Sequence, residues 1–124
     1  FDSLKEDLDA ATKLVRLTKE SFFIMENTVP VRLLSRILAA QLNNKSESTL
    51  LDPDRSYFRI VRQVVIEGKE KGVFRDEFTV NEIVIAYAML ERGIMYDWCT
   101  SNGNYPLSAY AAKMMRVFLK GFTV

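Results

Sequence analysis

Few residues in this chain of 124 have the types and spacing that covalent chemistry requires. Histidine, the commonest general base and metal ligand, is absent. Glu67, Glu70, Asp76 and Glu77 do not fall at metal-ligand spacing. No nucleophile stands beside a base, no Gly-rich loop is present to cradle phosphate, and no paired carboxylates frame a cleft. The residues therefore argue against an enzyme, against a bound metal and against a cofactor. Cys99 is the single cysteine. No intrachain disulfide can form, so the reducing cytoplasm is the expected compartment, and nothing beside Cys99 marks it as a redox sensor.

What remains is the chemistry of binding. Phe22, Met25, Tyr57, Met89 and Trp98 suit the lining of a pocket for an apolar or aromatic small molecule, and Met lets such a lining adapt. Thr18 and Tyr57 are the polar groups placed to orient a ligand. Each of these residues also fits a plain core, because apolar side chains at helical spacing usually pack inward. A lone helical Thr can also bond back to its own backbone. Arg55, Arg59 and Arg62 form a one-sided basic row. It reads either as a solvated face or as a contact to an anionic ligand or a DNA-binding part. Glu91 and Arg92 interrupt an apolar helix and are expected to pair across an interface, where a rim salt bridge contributes little.

Composition narrows the partners. The length is that of one domain, long enough to bury a core without staples. The net charge of +1 leaves no electrostatic footprint for nucleic acid, so any DNA contact must come from residues outside this chain. The start at Phe1-Asp2, with no initiator Met, points to a piece of something longer. No signal peptide is visible. The apolar run Ile83–Leu90 is far shorter than the roughly 20 residues a membrane span needs.

The elements that must position these residues are helices. Ser3-Leu4-Lys5-Glu6 is a capping box, and Leu4, Leu8, Ala11, Val15, Thr18, Phe22 and Met25 follow at helical spacing, predicting a helix over 3–26. Leu14 and Leu17 widen that stripe, and Asp9–Lys13 and Arg16–Glu20 stand at i,i+4. Pro30 ends it and opens a second helix, 30–42. The polar run 43–48 reads as a loop. Asp52-Pro53-Asp54 starts a third helix, with Tyr57, Ile60, Val61, Val64 and Val65 inward and Gly72 as its C-terminal cap. Thr79 and Glu82 form a second capping box, opening a fourth helix over 80–100.

That fourth helix is apolar on more than one face, and a helix apolar nearly all round is buried nearly all round. Gly93 in its middle costs about 1 kcal/mol relative to Ala, which close helix packing or the approach of a ligand would explain. Pro106 opens a last helix, 106–121, also with two apolar faces. Leu107, Tyr110, Met114, Val117 and Phe118 lie on one; Ala111, Met115, Leu119 and Phe122 lie on the other. Five helices joined by short loops make an all-α bundle. Ala88, Met95, Ala111, Met115, Leu119 and Phe122 exceed what one small core needs, and such surplus marks an interface, by default a two-fold homodimer.

Ile66-Glu67-Gly68, Lys71-Gly72-Val73-Phe74-Arg75-Asp76, Glu82 with Ala86, Gly93 with Trp98, and Leu119-Lys120-Gly121-Phe122 stand in the order of a known pattern. It is a helix ending in EGxxxGxFR, a helix carrying G-x-x-x-x-W and a last helix ending in L-x-x-G. In these residues the chain resembles the C-terminal domain of the tetracycline-repressor (TetR) family of transcriptional regulators. Phe23–Leu42 is similar to that family's helix, proline and Leu-rich helix, so the resemblance covers nearly the whole chain. The family's N-terminal helix-turn-helix, which reads the major groove, is absent from it.

The resemblance implies a single effector-binding and dimerisation domain over 1–124. Helices four and five would form a dimer four-helix bundle, with an effector pocket between helices one, three and four. Thr18, Phe22, Met25, Tyr57, Val61, Val64, Met89, Gly93 and Trp98 are the expected lining. The partners implied are a second copy, a small hydrophobic effector, and DNA only through the absent domain; no membrane is implied. The competing reading is a stand-alone helical module that binds a partner helix through the same apolar faces.

Overall fold

The computed structural model describes residues 8–43 and 52–124, so the expected Ser3–Glu6 capping box and the 44–48 part of the expected loop lie outside the described residues. Among the described residues five helices run in order: α1 Ala10–Thr28, α2 Val31–Asn43, α3 Asp52–Glu70, α4 Val80–Thr100 and α5 Leu107–Leu119. The chain is all-α, as its periodicity predicts. Among the described residues the β structure is a single bridge between Phe74 and Thr123.

Local signals set the helix ends. Asp9 caps α1 by accepting the Thr12 N–H at 2.8 Å. It is thus not the i,i+4 partner of Lys13, which reaches across to Glu67 on α3 at 2.7 Å. The Thr79–Glu82 capping box closes in both directions at the start of α4. Pro30 separates α1 from α2, since it cannot donate a hydrogen bond and disfavours helical backbone at Val29. The end of α3 turns on Gly72, whose φ of +74° is a conformation that a side chain resists. The N-terminus of α5 lacks a local side-chain cap. Glu26 of α1 supplies one from 81 residues away, accepting the N–H groups of Leu107 and Ser108, and carboxylates favour that end of a helix dipole.

Two apolar clusters fill the bundle. The larger joins Leu14 and Leu17 of α1, Val61 and Val65 of α3, Ile83 and Tyr87 of α4, and Met115 and Leu119 of α5 around Phe74. The smaller gathers Phe22, Leu34, Ile94, Trp98, Leu107 and Ala111. The most extensive packing is that of α1 on α5 and α3, while α4 touches α2, α3 and α5; even Lys13 of α1 is buried. The apolar α4 is enclosed on one side only: Ile83, Val84, Tyr87, Ala88, Glu91, Ile94 and Trp98 face inward, while Ile85, Met89 and Tyr96 face out. No helix among the described residues is long and apolar enough to cross a membrane.

Candidate functional site

A cavity of about 440 Å³ opens between α1, α2, α3 and α4. Its walls are mostly apolar: Phe22, Met25 and Val29 from α1 and its end, Leu34, Ile37 and Leu38 from α2, Phe58 from α3, and Ala88 and Met95 from α4. Helical spacing explains the set. Phe22 and Met25 are three apart, as are Glu91 and Ala88, so each pair shares one face of its helix. A larger depression of about 760 Å³ lies where α1, the bend after α3 and the C-terminus meet. Its lining mixes Arg16, Lys19, Arg116 and Lys120 with Val15, Val73, Leu119 and Val124. A small-molecule site is mostly apolar with a few placed polar groups, and the lining of the smaller cavity has that character.

Of its polar groups, Ser21, Gln41, Tyr57, Glu91 and Arg92, two belong to a closed ring of oxygens. Thr18 Oγ1 lies 2.7 Å from Tyr87 Oη and 3.0 Å from Glu91 Oε2. Tyr57 Oη lies 2.7 Å from Tyr87 Oη and donates to Glu91 Oε2 at 2.8 Å. Tyr87 also reaches the carbonyl of Leu14 at 3.2 Å. Glu91 is 3% exposed, and its hydroxyl neighbours offset the large cost of burying a carboxyl group. Tyr57 and Glu91 belong to the cavity wall, while Thr18 and Tyr87 stand behind them. Burial, reinforced by the Glu91 charge, pushes both phenols well above their ordinary value of 10.0. They stay protonated, and so remain able to donate, throughout the physiological range. No buried side-chain polar atom among the described residues is left without a partner.

The model for the C-terminal region of YsiA-like protein, a TetR-type C-terminal domain, matches residues 2–121. The chain belongs to this family. No curated protein and no solved structure matches it. TetR-type C-terminal domains typically dimerise and bind small-molecule effectors.

Within this TetR-type domain the expected ligand residues separate into groups. Phe22, Met25 and Tyr57 meet at the cavity, and Thr18 braces its floor from one layer deeper. The other five stand elsewhere. Val61 and Val64 lie one to two turns further along α3, where side chains of α1 and α4 fill the space, and they belong to the larger core cluster. Met89 is one position round the helix from inward-facing Ala88 and is 63% exposed. Gly93 has open space where a Cβ would project, so neither helix packing within this chain nor the cavity accounts for it. Trp98 lies two turns beyond Glu91, where Leu107 and Ala111 cover it, and its indole N–H donates to the Tyr105 carbonyl at 2.9 Å.

The expected dimer residues are also placed differently. Ala88, Ala111, Met115 and Leu119 are buried inside their own chain, Met115 completely. Met95 lines the cavity, and Phe122 packs edge-on against Phe78 with ring centroids 4.7 Å apart. The outward face of α5 carries Tyr110 and Val117 instead. Periodicity detects two apolar faces but does not say which one meets α1. Of the pair expected at an interface, Glu91 points inward to the ring and Arg92 is exposed. Glu91, Tyr87 and the α2 wall of Leu34, Ile37 and Leu38 are the site residues that sequence reasoning missed. A carboxylate within an apolar helical stripe, one turn from a Tyr on the same face, was the available signal.

Proposed function

We propose that this chain senses an apolar or aromatic small-molecule effector and dimerises, on behalf of a helix-turn-helix domain that lies outside these residues. The observation that carries the reading is the cavity between α1 and α4, apolar on its walls and hydrogen-bonded at its floor. A second copy would sit on the outer face of α4 and α5. Ile85, Met89, Gly93 and Tyr96 line up at helical spacing on α4, and Tyr110 and Val117 are exposed on α5. Exposed apolar rows of this size suit a partner surface, and Gly93 would let two helices approach closely. Effector binding would select one arrangement of α1 against α4 and α5, and so change the separation of the two DNA-reading domains. A thermal-shift screen with neutral apolar compounds tests the sensing role. A binder present at 100 times its dissociation constant should add about 2.7 kcal/mol of stability. Met25→Trp, which fills the cavity, should abolish the shift. Hits that shift Met25→Trp as much as the parent chain would overturn the assignment of the cavity.

A further inference from the structure

The end of α1 serves two parts of the molecule. Phe22, Met25 and Val29 line the cavity. Glu26, between them in sequence, does not line it and reaches α5 instead. Its Oε2 accepts the Leu107 N–H at 2.8 Å and its Oε1 accepts the Ser108 N–H at 3.2 Å. These amides belong to the first turn of a helix, where N–H groups have no partner within the helix. The residue at the cap position of α5 is Pro106, which gives no side-chain bond. Each oxygen of Glu26 thus takes one amide, which fixes both the position and the rotation of the carboxylate against α5. Apolar contacts follow the same route. Phe22 and Leu34 of the cavity wall belong to one buried cluster with Leu107 and Ala111 of α5. Close-packed interiors transmit displacement, and hydrogen bonds to a carboxylate are stronger than neutral ones. One turn beyond Leu107, Tyr110 is exposed on the outward side of α5, followed by Val117.

Resting on the effector-binding reading of this cavity, we propose that Glu26 is a positioning residue that couples occupancy of the cavity to the placement of α5. An occupant that moves Phe22 and Met25 away from the α2 wall carries the last turns of α1 with them. Glu26 moves with that segment. The first turn of α5 then either follows it or gives up one of the two bonds. By either route the outer face of α5 senses occupancy. Coupling of this kind is reciprocal, so assembly through that face alters the affinity of the cavity by the same factor.

The test is a titration of the chain with 1-decanol, followed by NMR at two places. One is the Met25 methyl at the cavity; the other is the pair of amides of Leu107 and Ser108, neither of which lines it. The amide signals should move along the same saturation curve as Met25. Glu26→Gln keeps the size of the side chain but removes its charge and one acceptor oxygen. It should leave 1-decanol binding at Met25 within about threefold, since the apolar walls are untouched, and should lose the amide response. A residue that merely caps α5 would lower stability in this variant and leave the response at saturation unchanged. If Glu26→Gln does not fold, Glu26→Asp, one methylene short of the two amides, makes the same comparison. Saturation at Met25 with both amides unmoved overturns the inference and leaves the cavity reading standing. A variant that responds as the parent chain does also overturns it, and routes the displacement through Phe22 and Leu107 alone. No saturable response at Met25 would fail the cavity reading, and the coupling with it.

Discussion

At the scale of single residues, a buried polar group is tolerated only through its partners. Thr18, Tyr57, Tyr87 and Glu91 form one unit, so deletions within it should not add. Thr18→Val and Tyr57→Phe should each cost about 1–3 kcal/mol in urea unfolding. The double variant should deviate from their sum by about 0.5 kcal/mol or more, because both remove donors from the same carboxylate. Additivity would show the ring to be two independent contacts. Lys13 and Glu67 make a second coupled pair. The hydrogen bond from Lys13 holds the Glu67 carboxyl below its ordinary value of 4.5. A depressed folded value means that the unfolded state takes up protons first. The stabilisation is therefore present above pH 4.5 and is lost as pH falls through the folded value. Glu67→Gln should flatten this part of the acid unfolding profile and leave stability above pH 6 dependent only on the lost pair.

At the scale of helices, local signals were legible and facing was not. The Thr79–Glu82 box, the break at Pro30 and the cap at Gly72 all act within a few residues, so their meaning is fixed by the residues themselves. The Glu26 cap on α5 was not legible, because it joins positions 81 apart. Nor was the depth of α1, which packs along α5 and α3 and covers Lys13 by pairing it with Glu67. On α5 the faces containing Tyr110 and Met115 are similarly apolar, and only the position of α1 decides that Met115 goes in. Gly68 shows how tight that packing is. A Cβ there would stand 2.5 Å from the Phe74 ring and 2.6 Å from the Ala10 Cβ. Gly68→Ala gains about 1 kcal/mol of helix propensity, but overpacking of a filled core typically costs 1–3 kcal/mol. A net fall in the denaturant midpoint is expected. A rise would mean that α1 and α3 can separate without loss.

At the scale of the whole molecule, two apolar features face different ways. The cavity lies under α1 to α4, while Ile85, Met89, Tyr96, Tyr110 and Val117 lie on the outer face of α4 and α5. Binding and assembly should therefore be separable by mutation. Sedimentation equilibrium at micromolar concentration should give a dimer for the parent chain and a monomer for Met89→Glu, which places a charge in the apolar row. Met115→Glu cannot make this distinction, because Met115 is core and its replacement would unfold the chain. A Met89→Glu chain that sediments as the parent does would place the interface elsewhere.

The most direct measurement follows the methyl groups of the five methionines by NMR during a titration with 1-decanol. Met25 and Met95 line the cavity, Met89 lies on the outer face, Met115 is in the core, and Met114 packs on the smaller cluster. Occupation of the cavity should shift the Met25 and Met95 signals first and saturably, and leave Met89 in place. Shifts led by Met89, or equal shifts at all five, would contradict a ligand site between α1 and α4.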